Sequence, residues 1–176
     1  MLRLFAGINL PPELKLRLSL LASGVPGAKW VDPGNYHLTL RFIGEVDEGV
    51  AADIDAALAQ IRARRFEVTL ATIGHFGLRM LWVGVERNPA LQHLHEKIES
   101  ALHRLGLPPE ERRYTPHVSL ARLKGTNEAK LKDYLGEHAL FRAAPFRVET
   151  FSLIASYLTK SGAIYEDQAD YALEPR

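Results

Sequence analysis

Leu2, Leu4, Ala6 and Ile8 recur at every second position, and this period of two predicts a first strand over 2–9. Pro11 and Pro12 follow, and proline suits the first turn of a helix. Leu14, Leu18 and Leu21 then form a helical stripe that Gly24, Pro26 and Gly27 end. An irregular approach, 29–35, leads into a second strand over 36–44, YHLTLRFIG, rich in β-branched and aromatic residues. Asp47 suits the N-cap of a helix with Val50, Ile54, Leu58 and Ile61 inward. Strands over 66–73 and 80–86, joined by a glycine-bearing turn, complete the first half.

The second half repeats this plan. A helix over 89–105 places Leu91, Leu94, Ile98, Leu102 and Leu105 on one face, and a polar loop over 108–113 leads to a strand over 115–123, TPHVSLARL. A helix opening at Thr126 turns Leu131 and Leu135 inward, and strands over 146–153 and 164–173, connected through Lys160, Ser161 and Gly162, close the chain. Phe66 lies 29 residues after His37, and Phe146 lies 29 after His117, each opening a Phe-x-Val strand. Equal spacing in the same element order predicts a duplicated unit of histidine strand, helix and strand pair. The expected fold is α+β: two similar lobes with mostly antiparallel sheets and flanking helices, related by a pseudo-two-fold, with an active-site cleft between them. The whole of 1–176 is expected to form one bilobal domain, each lobe contributing one H-x-[ST]-x strand, 37–40 and 117–120.

Residues i and i+2 of a strand face the same way. His37, Thr39 and Arg41 are therefore expected on one face, with Leu38, Leu40 and Phe42 toward the core. His117 and Ser119 likewise project together, against Val118 and Leu120. Imidazole exchanges protons near neutral pH, and two of them on opposite sides of one bond can activate water and protonate a leaving group in the same step. The hydroxyls of Thr39 and Ser119 suit the non-bridging oxygens of a tetrahedral anion, and Arg41 could add charge-assisted hydrogen bonds. A phosphate ester fits this set better than an acyl group, since the chain has no G-x-S-x-G nucleophile elbow. Taken singly, each histidine reads as structural and each hydroxyl as a strand former; the pairing of the two motifs carries the functional reading. A metal centre would want a third ligand and carboxylates, which neither motif holds.

Composition narrows the classes. With 47% hydrophobic and 24% charged residues among 176, the chain can bury a core and is not a disordered segment. A net charge of +1 excludes wholesale wrapping of nucleic acid but allows a local basic cleft. The absence of cysteine removes disulfides, thiolate metal sites and cysteine nucleophiles. The first apolar run stops at Pro11, too short for a signal or a membrane span; a soluble cytoplasmic protein is expected.

The twin motifs HLTL and HVSL sit within RLFAGINLP, WVDPGNYHLTLRFIGEV, LWVGVE and RYTPHVSLARLK. In these words the chain resembles the two-histidine (2H) phosphoesterase superfamily, and within it the RNA 2',3'-cyclic phosphodiesterases, also called 2'-5' RNA ligases. The resemblance runs from Arg3 to about Leu173. It implies hydrolysis of 2',3'-cyclic phosphate to a 2'-phosphomonoester with no metal or nucleotide cofactor, and a weaker reverse joining through a 2'-5' linkage. It also implies His37 as proton donor to the leaving 3' oxygen, His117 as the proton acceptor that activates water, and Thr39 and Ser119 as phosphate ligands. Ser119 stands where threonine is commoner in the family, and keeps the hydroxyl. Arg122, five residues past His117, is a further phosphate-binding candidate that strict alternation points away from the cleft unless the strand twists or bulges. The expected partner is an RNA ending in a 2',3'-cyclic phosphate, such as a transfer-RNA fragment, or a small cyclic nucleotide, met by a monomer with no membrane involved. A non-catalytic RNA- or nucleotide-binding module on the same fold is the other reading, although a pure binder needs no pair of titrating groups.

Phe5, Trp30, Tyr36 and Phe76 are candidates either for stacking an RNA base or for core packing. Arg3, Lys29, Arg79, Arg112 and Arg113 are candidate sources of a positive rim. His93 and His95 form an H-x-H pair, but two residues along a helix turn by about 200°, which predicts surface positions rather than shared ligands. His75, His103 and His138 show no partner pattern and are expected at the surface or rim.

Overall fold

This computed structural model describes residues 1–175, so Arg176, the last residue of the expected 1–176 domain, lies outside the described residues. The first lobe's sheet has the order β10 (Gly162–Ala172), β9 (Thr150–Thr159), β1 (Leu2–Asn9) and β3 (His37–Val46), every neighbour antiparallel. The second runs β2 (Ala28–Trp30), β7 (His117–Leu123), β6 (Met80–Val85) and β5 (Leu70–Phe76), also antiparallel. A two-stranded ribbon, β4 (Phe66–Val68) with β8 (Phe146–Val148), stands apart from both.

The helices begin and bury as their sequences dictate. α1 (Pro12–Ser19) opens on proline and buries Leu14 and Leu18. α2 (Glu48–Ala59) starts where Asp47 accepts the Val50 N–H at 2.8 Å, and buries Ile54 and Leu58. α3 (Pro89–Arg104) is capped by Asn88 and buries Leu91, Leu94, Ile98 and Leu102. Leu105, expected on that face, is exposed because the helix ends there in its C-cap. α4 (Glu128–Glu137) starts after the Asn127 cap, one residue past the expected Thr126, and buries Leu131. Among the described residues no helix is long and apolar enough to cross a membrane.

The duplication is present, but its strand pairs are exchanged. β5 and β6, which follow the first histidine strand, join the sheet of the second. β9 and β10, which follow the second, join the sheet of the first. The ribbon explains the crossing, because β4 and β8 lead directly into β5 and β9. Its register pairs Phe66 with Val148, Glu67 with Arg147 and Val68 with Phe146. The offset that carries His37 to His117 (117 − 37 = 80) also carries Glu67 to its own partner Arg147 (147 − 67 = 80). The ribbon therefore lies on the pseudo-two-fold, and the repeated spacing measures the arm from each histidine to that axis.

Candidate active site

β3 and β7 approach each other where the two sheets meet, bringing the histidine motifs together. His37 Nδ1 lies 3.0 Å from the Asn35 carbonyl, and His117 Nδ1 lies 2.6 Å from the Thr115 carbonyl. A carbonyl only accepts, so each Nδ1 carries the hydrogen and each Nε2 is the nitrogen free to exchange a proton. The same device, a histidine tied to the carbonyl two residues before it, occurs once in each lobe.

Aromatic side chains fix both rings. Phe5 and Tyr165 meet His37 edge-on, with centroids 6.0 and 5.3 Å away. Phe76 meets His117 edge-on at 5.2 Å, and Trp82 lies 6.0 Å from it at a tilt. Burial pushes the His37 imidazole below its ordinary value by disfavouring the charged form. The Asn35 hydrogen bond and the charge of Asp167 oppose this shift, and Lys15 adds to it. Thr39 is exposed to the cleft. Ser119 Oγ lies 3.5 Å from Met80 Sδ, a weak acceptor it can leave for a phosphate oxygen.

Two cavities meet at this point. One of about 170 Å³ holds His37 and Ser119, with Arg3, Phe5 and Tyr165 in its wall. The other, of about 730 Å³, holds His117 and is lined by Phe76, Arg79, Arg112, Arg113 and Arg122. Thr39 and Phe42 line both. Among the described residues no three His, Asp or Glu side chains group as a metal site would require.

Both histidine strands depart from strict alternation, and three expectations change with them. β3 skips Leu40 in its pairing with β1, and β7 skips Leu120 in its pairing with β6. Each skipped leucine marks a bulge that reverses which side chains face the cleft just beyond it, and β3 skips a second residue, Ile43, further along. Arg41, expected beside Thr39, is instead 6% exposed, and its guanidinium is used on Glu99 (2.5 Å), the Phe42 carbonyl and the Pro108 carbonyl. Phe42, expected in the core, is 45% exposed and shared by the two cavities. Arg122 occupies the equivalent place in β7 and enters the larger cavity.

The aromatic candidates separate as well. Tyr36 is fully buried and so cannot stack a base, because it faces the core with Leu38. Trp30 packs on Tyr134 and lines neither cavity. Phe5 is buried as a wall for His37, whereas Phe76, 37% exposed, stands at the mouth beside His117. Lys29, expected at a positive rim, also lies outside both linings, whereas Arg3, Arg79, Arg112 and Arg113 line them. His95, expected at the surface, is buried on α3, its Nδ1 2.9 Å from the Leu40 carbonyl. Tyr114 was not singled out by sequence; its ring stacks on His95 and its hydroxyl donates to the Thr39 carbonyl at 2.9 Å.

Twin H-x-[ST]-x strands in pseudo-symmetric lobes, each histidine held through Nδ1 and lining a cavity with Thr39, are the arrangement expected of a two-histidine phosphoesterase. The family model described as the 2'-5' RNA ligase superfamily matches residues 16–159, and the chain belongs to that family. It is 40% identical to an RNA 2',3'-cyclic phosphodiesterase of Aeropyrum pernix over 158 residues, covering 86% of this chain and 89% of that one. A protein of the same description from Methanothermobacter thermautotrophicus is 31% identical, with 97% and 98% covered. Among solved structures, E. coli LigT complexed with 3'-AMP superposes with a TM-score of 0.82 at 27% identity, over 98% of each chain.

Proposed function

We propose that this protein hydrolyses 2',3'-cyclic phosphate at RNA ends to a 2'-phosphomonoester, by two-histidine acid–base catalysis without a metal ion. The observation that carries the reading is the matched pair of imidazoles, each with Nδ1 tied to a carbonyl so that Nε2 is left to exchange protons, in two cavities that share Thr39 and Phe42. Water attacks phosphorus as His117 Nε2 takes its proton; the bond from phosphorus to O3' breaks as His37 Nε2 gives O3' a proton; the bond to O2' remains. Thr39, Ser119 and Arg122 bind the non-bridging oxygens, where charge accumulates in the transition state. A 5'-hydroxyl in place of water would join two ends through a 2'-5' linkage, by the same displacement of O3' with a different nucleophile. The relatives' names support RNA as the substrate class, as do the arginines of the larger cavity, which suit a strand such as a cut transfer RNA better than a small cyclic nucleotide.

The test is a short RNA ending in a 2',3'-cyclic phosphate, incubated in EDTA with wild type, His37→Ala and His117→Ala, resolving 2'- from 3'-phosphate. Clean 2'-phosphate from the wild type and a large loss in both variants are expected. Activity that EDTA abolishes and a divalent ion restores would overturn the metal-free mechanism. RNA bound without turnover would favour a binding module.

A further inference from the structure

β3 is the outer strand of its sheet, so carbonyls on its free side need partners from beyond the ladder. Two consecutive carbonyls at the bulge find them. Tyr114 Oη donates to Thr39 O, and His95 Nδ1 donates to Leu40 O, both at 2.9 Å. The two rings lie face to face, centroids 4.0 Å apart and planes 8° from parallel, so each holds the other in place.

The second lobe meets the same need differently. Leu120, the counterpart of Leu40, has its carbonyl bonded by the Val31 backbone N–H at 2.8 Å, beside the pairing of β2 with β7. One bulge is therefore held by backbone, and the other by two aromatic side chains. Tyr114 also has a second connection. It immediately precedes Thr115, whose carbonyl orients His117, so one side chain joins the first motif's hydroxyl residue to the segment that aims the second histidine.

We propose that Tyr114, stacked on His95, is a positioning residue that clasps the two histidine strands together and fixes how the imidazoles face each other. A general acid and a general base that work on one phosphorus need this relation held closely, and a displacement of about 1 Å can cost on the order of a hundredfold. The inference rests on the phosphodiesterase reading above.

The experiment compares wild type and Tyr114→Phe, which keeps the ring and removes only the clasp, on the cyclic-phosphate RNA. Expected is a fall in kcat of about 10- to 100-fold, with KM within about twofold and the melting temperature within a few degrees. His95→Asn, which keeps a donor, is expected to retain more kcat than His95→Leu. An unchanged kcat, or a loss carried by KM or melting temperature instead, would overturn the clasp. If the wild type itself does not turn the RNA over, it is the phosphodiesterase reading that fails, and the clasp is then decided without turnover. Ring ¹⁵N signals of His37 and His117 are expected to shift in Tyr114→Phe, and unchanged signals would overturn it.

Discussion

A proton-transfer group contributes about 10² to 10⁴ in rate, so His37→Ala and His117→Ala are each expected to cost at least that much in kcat/KM, measured on the cyclic-phosphate RNA. Their pH limbs differ in origin. As a proton donor His37 works when charged, and burial holds it below its ordinary value of 6.5. Activity should therefore be lost as pH rises through a value below 6.5 in kcat/KM, which reports the free enzyme. In kcat this limb should move up, because a bound phosphate anion favours the imidazolium. An alkaline limb in kcat/KM well above 6.5 would remove the donor role from His37. Stability follows the same shift: the unfolded chain binds the proton more readily, so the contribution of His37 is complete above 6.5 and is lost as pH falls through its lower folded value. The arginines separate by a different measurement. Arg122→Ala is expected to lower kcat/KM with little change in melting. Arg41→Ala strands the Glu99 carboxylate in a partly buried site and should cost about 3 kcal/mol in denaturant unfolding.

Among the secondary elements, the four helices and most strands were legible because they depend on local periodicity, whereas the short β2 in a stretch expected to be irregular and the breaks after Val68 and Val148 were not. Asp47 as N-cap and the α3 stripe are examples. What local periodicity could not carry is a one-residue bulge, since alternation counts residues and a bulge adds one without changing composition. That is why Arg41 and Phe42 exchange their expected faces while His37 and Thr39, before the bulge, keep theirs. A signal was present in the pair Phe42 and Arg122, each five residues past its histidine. His95 and Tyr114 were not legible for another reason: their role depends on α3 and the 105–116 segment packing on a strand far away in sequence. The floor beneath His117 is equally non-local. Trp82 lies across Gly74 of the neighbouring strand, where an added Cβ would enter the indole ring. Gly74→Ala is therefore expected to cost about 1–3 kcal/mol through overpacking. It should also lower kcat, because the displaced Trp82 supports His117. Melting and turnover measured on one preparation check this, and a normal melt with normal kcat would show that the ring simply slides.

Over the whole molecule the two-fold arrangement is nearly symmetric in its histidines and markedly asymmetric in charge. Arg79, Arg112, Arg113 and Arg122 gather in the larger cavity with Glu110 as the one carboxylate in its wall among the described residues, although the entire chain carries only +1. Near-neutral totals conceal such a patch, and sequence could name its arginines without showing that the 105–116 segment brings Arg112 and Arg113 into one cavity with Arg79, Arg122 and His117. A polyanion should sense it and a mononucleotide should not. Single-stranded binding loses about 0.7 in log K per decade of salt for each phosphate neutralised. A cyclic mononucleotide, with one phosphate at the histidines, should show roughly that slope in its KM. An oligonucleotide whose upstream phosphates reach Arg79, Arg112 and Arg113 should show a slope steeper by roughly two. Measuring KM for both substrates from low to moderate salt, with Arg112→Ala and Arg113→Ala alongside, decides the path. If the RNA approaches over the larger cavity, each substitution removes about 0.7 from the oligonucleotide slope and leaves the mononucleotide unchanged. Equal slopes for both substrates would mean that the strand approaches past Arg3 and Tyr165, on the His37 side.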